Sequence, residues 1–233
     1  MDFSYLEHNL ASVRERIREA AEKCGRAPED VLLIAAVKYA EPEELAYLCG
    51  ELGVRDIGEN RVQQLLAHCE QIDLQNVNLH FIGTLQTNKV KYIIDKVSMI
   101  HSLDSLKLAA EIDRQAKKKG IVMDVLVEIN CGEEESKSGL MPSEVADFCV
   151  ELRRFSALRH RGFMTMAPKC EKKEDYRKFF AQTYQLCLDI WTKNLHNIGK
   201  PLISMGMSDS YEEAIAEGAD IVRVGRSLFV KEN

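Results

Sequence analysis

The sequence predicts an α/β protein, a single (β/α)8 barrel that spans residues 1–233 and carries one extra helix at its N-terminus. Short apolar segments, which are typical of buried parallel strands, alternate with amphipathic segments at helical spacing almost from end to end. The apolar segments number eight, which is the strand count of this barrel. A chain of 233 residues is long enough to close such a barrel as one domain.

The elements are predicted as follows, in chain order. The strands are residues 31–37, 54–57, 79–82, 97–101, 122–129, 158–166, 202–205 and 220–224. The helices between them are residues 42–52, 60–72, 87–95, 104–119, 142–153, 173–194 and 209–217, and residues 3–24 form the extra helix. An open doubly wound sheet is the alternative, but the first strand is not followed by the G-x-G-x-x-G dinucleotide fingerprint of that fold.

The predicted helix over residues 173–194 contains a stripe of large side chains. They recur at three- and four-residue spacing, at Tyr176, Phe180, Tyr184, Cys187 and Trp191. This spacing predicts a face that packs against the barrel, and we do not interpret the stripe as an aromatic ligand site.

Composition and charge narrow the class of protein. The formal net charge of -6 argues against a dedicated nucleic-acid binder, because neutralising phosphates requires a clustered positive surface. No apolar run approaches the ~18 residues of a membrane-spanning helix. The seven cysteines are scattered and form no C-x-x-C pair, which favours a reducing, cytoplasmic location and argues against a zinc site.

Lys38 directly follows the six apolar residues 32–37 of the first predicted strand. The carboxyl ends of barrel strands carry the chemistry, so we expect the amine of Lys38 on that face. One interpretation is structural, with the alkyl stem along the strand and the amine in water or paired with Glu41 or Glu43. The other is functional, with a desolvated and partly neutral amine that attacks a carbonyl carbon to form a Schiff base.

Polar residues and a glycine lie at the ends of the last two predicted strands. Ser204 and Ser208 belong to the seventh strand end, and Gly225, Arg226 and Ser227 follow the eighth strand at a predicted helix start. Barrels often bind phosphate with these two loops, because free backbone N–H groups there can approach the anion closely. The alternative is an ordinary turn in which Gly225 merely permits an unusual backbone dihedral angle.

Other strand ends carry isolated polar residues, including Asn60 after the second strand and His80 in the third. A lone histidine on a strand is more often a hydrogen-bonded core residue than a catalyst. The sequence contains no G-x-S-x-G, H-E-x-x-H, P-loop or cysteine–histidine metal spacing. These positions therefore do not identify a reaction by themselves.

Eight motifs occur in a specific order: AAVKYAEPEEL, DIGENRVQ, LHFIGTLQTNK, SLDSL, VEINCGEEESKSGL, RGFMTMAP, SMGMSDSYEEAI and VRVGRSLF. Over residues 31–229 this set resembles the pyridoxal phosphate homeostasis proteins, whose fold resembles the N-terminal barrel of alanine racemase. The resemblance favours the functional interpretation of Lys38.

The resemblance implies pyridoxal 5′-phosphate (PLP) as the cofactor, bound to Lys38 as a Schiff base. It further implies these contacts: Asn60 beside the cofactor ring, Arg223 facing the pyridine nitrogen, and the phosphate held by Ser208 and by the backbone of Gly225 and Arg226, with Ser204 nearby. Lys137 is a candidate for a secondary PLP contact, although a solvated surface charge is the simpler interpretation.

Three positions depart from the family pattern. Ser210 stands where an acid is expected after GMS, Arg226 replaces the usual Thr or Ser after Gly225, and Val230 stands where a glycine often follows LF. The second departure leaves backbone donation intact but puts the hydroxyl contact to phosphate in doubt. Ser227 is the candidate to supply it.

These features predict a non-catalytic protein that carries or buffers PLP. A guanidinium at the pyridine nitrogen keeps that nitrogen unprotonated, which weakens PLP as an electron sink. The alternative is a low-activity amino-acid racemase with Lys38 as one base and His80 or water as the other. The domain that supplies the second base in alanine racemase is not expected here, because the chain stops just after the eighth strand. A nucleic-acid or regulatory module is least favoured.

The expected partners are PLP, other B6 vitamers and, transiently, PLP-dependent enzymes. We expect neither nucleic acid nor membrane as a partner. We expect the chain to be a monomer.

Overall fold

A computed structural model describes residues 2–134, 136–195 and 200–231 of the chain. Eight parallel strands pair in chain order and close into a barrel. The strands are β1 Leu32–Ala36, β2 Asp56–Glu59, β3 Asn78–Phe81, β4 Met99–Leu103, β5 Met123–Ile129, β6 Leu158–Thr165, β7 Leu202–Ser204 and β8 Ile221–Val224. The predicted (β/α)8 barrel is therefore confirmed.

Helices follow the strands and cover the barrel. They are α1 Ser4–Lys23, α2 Pro42–Gly50, α3 Val62–Gln71, α4 Val90–Ile93, α5 Leu106–Lys119, α6 Val145–Leu152, α7 Lys173–Ile190, α8 Tyr211–Ala216 and α9 Arg226–Phe229. The predicted extra helix at the N-terminus is α1. Among the described residues, no helix combines the length and the apolar character that crossing a membrane requires.

Closure depends on the first strand, which has a neighbour on each side. Strand β1 pairs with β2 through Ala35 opposite Ile57, and with β8 through Leu32 opposite Ile221. Side chains along each strand alternate between an outer face, toward the helices, and an inner face, toward the barrel axis. This alternation creates two separate buried regions.

The outer region is a large apolar core between the strands and the helices, and Leu45, Ile57, Leu65 and Phe163 are among its fully buried members. The inner apolar cluster is much smaller. It consists of Ile34, Met99, Leu126, Met164 and Ile221, with Leu202 packed against it. The rest of the barrel interior contains buried polar side chains, which are part of the site described below.

Two strands lie later in the sequence than predicted. Strand β2 is Asp56–Glu59 rather than residues 54–57, and β4 is Met99–Leu103 rather than residues 97–101. Gly58 and Glu59 have low strand propensity, but Glu59 is fully buried and its carboxylate contacts His68 at 2.5 Å. A tertiary contact therefore extends β2 beyond its apolar residues.

The helix predicted over residues 87–95 is shorter in the structure. A 3₁₀ turn, Thr87–Lys89, precedes the single α-helical turn of α4. The predicted stripe of residues 173–194 is confirmed, because Tyr176, Phe180, Cys187 and Trp191 are all buried. Tyr184 is half-buried and packs against the same core.

Candidate functional site

A cavity of about 340 Å³ opens at the carboxyl end of the barrel. Its volume lies within the range typical of small-molecule sites. Six of the seven residues predicted for the cofactor site line it: Lys38, Asn60, Ser208, Arg223, Gly225 and Arg226. Residues that are far apart in the sequence meet here because the carboxyl ends of all eight parallel strands point the same way.

Lys38 lies in a turn just beyond β1. The turn is closed by the Ala40 N–H, which donates to the Val37 carbonyl at 2.9 Å. The side-chain amide of Gln64 donates to the Lys38 carbonyl at 3.0 Å, which holds the turn against α3. Helix α2 begins immediately after this turn at Pro42. The backbone of Lys38 is thus held by contacts on both sides.

The Lys38 side chain is exposed, and its Nζ lies 4.6 Å from the centre of the Tyr39 ring. The expectation that the amine of Lys38 is desolvated at the end of an apolar strand is therefore wrong. The reason is that β1 ends at Ala36, so Lys38 projects from the rim of the barrel rather than from its interior. Lys38 nevertheless lines the cavity, so its amine is accessible to a molecule bound there.

Asn60 follows β2 and is half-buried in the cavity wall. The next loop approaches it so closely that a Cβ at Gly83 would lie 2.2 Å from the Asn60 carbonyl oxygen. Any side chain at position 83 would clash with Asn60, so the glycine of the HFIG motif is required there. The contact fixes the backbone from which the Asn60 side chain projects.

Arg223, on β8, is 4% exposed and forms the floor of the cavity. Its Nη1 donates to the Ser204 hydroxyl at 2.5 Å, and its Nη2 donates to the Thr165 carbonyl at 2.9 Å. Burial lowers the pKa of Arg223 to about 10, an effect that the negative charge of Glu128 opposes. The guanidinium therefore remains a cation at neutral pH.

Two backbone N–H groups converge at the loops after β7 and β8. The N–H groups of Gly225 and Ser227 both donate to the Ser208 Oγ at 3.3 Å. The oxygen of Ser208 thus marks a position where an electronegative atom is bound at the start of α9. This arrangement suits a phosphate oxygen, because such N–H groups are directed toward anions.

Gly225 does not adopt the left-handed backbone conformation that favours glycine. Its φ is negative, at -126°. A Cβ at this position would instead lie 2.8 Å from the carbonyl oxygen of Ala36. The glycine is required because β8 passes very close to the end of β1, next to Lys38.

Two of the three departures from the family pattern, Arg226 and Ser210, make contacts within the loops after β7 and β8. The Arg226 side chain forms an exposed ion pair with Asp209 at 3.1 Å. Ser210 is buried, and its hydroxyl accepts a hydrogen bond from the Met207 N–H at 3.3 Å. Ser227 contacts Ser208 through its backbone and is not part of the cavity wall. A phosphate contact from the Ser227 hydroxyl is therefore not supported.

Two predicted residues lie away from the cavity. Ser204 is fully buried beneath Arg223 and does not line the cavity, so its predicted contact with the cofactor is not supported. His80 lines a different cavity, at the amino end of the barrel, together with Leu32, Met99 and Leu202, the first residues of β1, β4 and β7. The expectation that His80 serves as a second base beside Lys38 is therefore wrong.

The electrostatics of the cavity differ from those of the whole chain. Its described wall contains four cationic side chains, Lys38, Lys169, Arg223 and Arg226, and one anionic side chain, Asp209. The protein as a whole has a net charge of -6. The cavity therefore favours an anionic ligand although the chain is acidic.

A neighbouring cavity of about 290 Å³ shares Met166, Lys169 and Met207 with the first. Lys137 is exposed in its wall, and the buried Glu128 lines the same cavity. Burial, followed by the negative charge of Asp104, raises the pKa of Glu128 to about 7. Within the described part of the chain, the Oε2 of Glu128 has no hydrogen-bond partner.

The sequence did not identify several members of the cavity wall, among them Tyr39, Ile82, Lys169 and Tyr176. Tyr39 adjoins Lys38 and could have been found from that position alone. Tyr176 belongs to the apolar stripe of α7, where nothing distinguishes it from a core residue. Ile82 could have been predicted, because it ends the third predicted strand and the carboxyl ends of the strands meet on one face of the barrel.

Comparison with known proteins gives consistent results. A family model described as the alanine racemase N-terminal domain matches residues 6–232. The pyridoxal phosphate homeostasis protein of Aquifex aeolicus is 43% identical over 225 residues, covering 94% of this chain and 95% of the relative. The protein of the same name from Pseudomonas aeruginosa is 35% identical over 226 residues, covering 97% of this chain and 95% of the relative.

A solved structure of PipY from Synechococcus elongatus, with PLP bound, aligns with a TM-score of 0.83 and 29% identity. The alignment covers 97% of this chain and 100% of that protein. The family match and the identity to the Aquifex relative, each over nearly the whole chain, agree with the barrel and with the motifs around Lys38. The chain therefore contains the alanine racemase N-terminal domain and belongs to the pyridoxal phosphate homeostasis proteins.

Proposed function

We propose that this protein binds PLP reversibly at the carboxyl end of the barrel, with Lys38 as the attachment point, and that it carries or buffers the cofactor. One observation carries the proposal. The cavity combines an accessible primary amine with buried and backbone donors for an anion, in one site of suitable size. PLP has both complementary groups, because it bears an aldehyde that condenses with amines and a phosphate.

The phosphate end of the site is formed by Ser208 and the N–H groups of Gly225 and Ser227. These donors already bind an oxygen atom, that of Ser208, at the start of α9. The close approach of Gly225 to Ala36 brings this cluster next to the turn that bears Lys38. The amine and the anion-binding groups can therefore contact the two ends of one small molecule.

Arg223 provides the group that faces the cofactor ring. A guanidinium has donors only, so it hydrogen-bonds an unprotonated pyridine nitrogen and does not give that nitrogen a proton. An unprotonated ring withdraws electrons less strongly, which disfavours catalysis at the substrate carbon. The buried charge of Arg223 thus supports a protein that carries PLP rather than one that uses PLP in catalysis.

The exposure of Lys38 supports reversible binding. An amine at the rim of an open cavity is accessible to an incoming aldehyde and to water. Enzymes that use PLP for catalysis generally close the site and exclude water. An open site instead favours exchange of the cofactor with the surrounding solution.

A labelling experiment tests the attachment point. The protein is mixed with PLP, treated with borohydride to make the linkage permanent, and analysed by peptide mass spectrometry. We expect one equivalent of label on Lys38, and we expect Lys38→Ala to lose the label and the visible absorbance of the bound cofactor. Lys107→Ala, an exposed lysine on α5, is the matched control and should label as the unmodified protein does.

Two results would contradict the proposal. Label spread over many surface lysines would mean that the cavity has no selectivity for PLP. Label on Lys169, the other lysine in the cavity wall, would mean that Lys38 is not the attachment point.

The racemase alternative has its own test. His80 lies at the opposite end of the barrel, so the structure offers no support for it as the second base. Circular dichroism of L-alanine in deuterated buffer should show no loss of optical activity with the PLP-loaded protein. Sustained loss that depends on Lys38 would replace the carrier proposal with the racemase.

The proposal extends to other B6 vitamers that bear the aldehyde and to transient contact with PLP-dependent enzymes that receive the cofactor. All seven cysteines are free thiols, in agreement with the predicted cytoplasmic location. The monomer remains a prediction, which sedimentation equilibrium can test.

A further inference from the structure

Five buried or half-buried polar side chains form a line of successive contacts through the barrel interior. Arg223 Nη1 lies 2.5 Å from Ser204 Oγ, which lies 3.3 Å from His101 Nδ1. His101 Nε2 lies 3.1 Å from His80 Nδ1, and His80 Nε2 lies 3.2 Å from Asp56 Oδ1. We call this set the interior chain. It connects the floor of the cofactor cavity with the cavity at the amino end.

The chemistry of the two ends favours one direction for the hydrogen bonds of the interior chain. A guanidinium only donates, so Ser204 accepts from Arg223, and its own hydrogen is available for donation to His101 Nδ1. His101 then carries its proton on Nε2 and donates it to His80 Nδ1. His80 in turn carries its proton on Nε2 and donates to Asp56, which accepts because an ionised carboxylate has no hydrogen to give.

The protonation states agree with this direction. Burial, which is the largest cause, keeps the pKa of His101 well below its usual range, so His101 is neutral. Burial raises the pKa of Asp56, but hydrogen bonds from His80 and Asn78 outweigh it and lower the pKa overall. Asp56 is therefore ionised at neutral pH. A neutral imidazole has one donor and one acceptor, as the interior chain requires.

The interior chain is also distinct from the surrounding packing. Ile34, Met99 and Leu126 belong to the apolar cluster that fills part of the remaining interior. His101 is fully buried, and an unpaired polar group at that position would be costly. Aliphatic side chains fill the interior of such barrels at lower cost, so two histidines in contact here require an explanation.

We propose that His101 is a positioning residue for Arg223: it accepts the Ser204 hydroxyl hydrogen, so that the serine oxygen stays directed at the guanidinium, and His80 and Asp56 hold His101 in the required tautomer. The inference rests on the proposed function, in which Arg223 faces the pyridine nitrogen of PLP. Without the acceptor on His101, the Ser204 hydroxyl can turn its hydrogen toward Arg223. The guanidinium then loses one of its two buried contacts and its fixed direction.

The first test needs no cofactor. Nitrogen-15 NMR of the histidine side chains in ligand-free protein should show the Nε2 of both His80 and His101 protonated and the Nδ1 of both without a proton. Asp56→Ala removes the terminal acceptor and should leave His80 with a mixture of tautomers. An Nδ1-protonated His101 in the unmodified protein would overturn the inference, whether or not the protein binds PLP.

The second test uses PLP as the probe. His101→Leu should weaken PLP binding about tenfold or more and shift the absorption maximum of bound PLP, because the ring nitrogen loses its fixed donor. His101→Gln keeps an acceptor oxygen and a donor nitrogen, so it should bind within about threefold of the unmodified protein with an unshifted spectrum. A purely structural role for His101 would not predict this spectral difference.

A matched control accounts for loss of stability. His160→Leu replaces another buried barrel histidine, on β6 and outside the interior chain, and should leave the spectrum of bound PLP unchanged. If His101→Leu does not fold, Asp56→Ala is measured instead and should also shift the spectrum.

Unmodified protein that takes up no PLP would refute the proposed function alone, since the NMR result does not depend on PLP binding. Unchanged affinity and spectrum in folded His101→Leu would refute the positioning role alone.

Discussion

The outer and inner faces of the same eight strands have opposite chemistry. On the outer face, Ile57 and Phe163 belong to a continuous apolar core against the helices. On the inner face, the apolar cluster is small, and His101, Ser204 and Arg223 are buried beside it. A one-residue step along a strand therefore leads from a region that stabilises the fold to a region that contributes to the site.

The difference shows where the free energy of folding arises. Burial of apolar surface stabilises in proportion to its area, and most of that area lies between barrel and helices. The interior contributes little of this apolar burial, and it contains charged and hydrogen-bonding groups that cost free energy to bury. The substitutions below test this division.

The largest effect should follow from a truncation in the outer core. Phe163 is fully buried on β6, and its ring packs against those of His160 and Trp191. Phe163→Ala should lower the free energy of unfolding by about 3–5 kcal/mol, through lost burial and a residual cavity. Urea denaturation measures this change in the free energy of unfolding. Tyr92→Ala, at an exposed aromatic, is the control, and an effect of equal size there would remove the distinction between core and surface.

A smaller, pH-dependent effect is expected inside the barrel. The pKa of Glu128 is raised to about 7 in the folded protein, from an ordinary value of 4.5. Between these two values the unfolded chain has released the proton while the folded protein has kept it. The contribution of Glu128 to stability is thus complete below pH 4.5 and is lost as the pH rises through 7.

Glu128→Gln removes this titration. The variant should be more stable than the unmodified protein at pH 8 by about 1–3 kcal/mol, and its stability should fall less between pH 5 and 8. Urea denaturation at both pH values measures the difference. The control is Glu29→Gln, at an exposed carboxylate, which should leave the pH dependence unchanged. Parallel curves for Glu128→Gln and the unmodified protein would show that the interior carboxyl is ionised in the folded state.

The smallest effect on stability should come from the residue most important to the proposed function. Lys38 is exposed at the rim, and its side chain is not part of either apolar cluster. Lys38→Ala should therefore change the free energy of unfolding by no more than about 0.5 kcal/mol. A loss of several kcal/mol would mean that the amine has a structural role, and loss of PLP binding in this variant could then reflect unfolding.

The outer face was the easier half to predict. Its residues are apolar, and their periodicity gave the strand and helix order that the structure confirms. The inner face was harder because its polar residues resemble ordinary surface residues in a single sequence. The racemase alternative offered His80 as a second base beside Lys38, yet His80 lines the cavity at the amino end of the barrel. Ser204 was expected on the cofactor, yet the neighbouring Arg223 covers it.

The alternation of apolar strands and amphipathic helices determined the barrel, because each periodicity specifies which face of an element must be buried. The barrel then places Lys38 and Gly225 on one rim, since parallel strands end at the same edge. Only the tertiary structure decided that Lys38 is exposed and that His101, on β4, contacts Ser204, on β7. Those strands are neither neighbours in the sequence nor paired in the sheet, and their contact depends on how side chains from different strands meet across the closed interior.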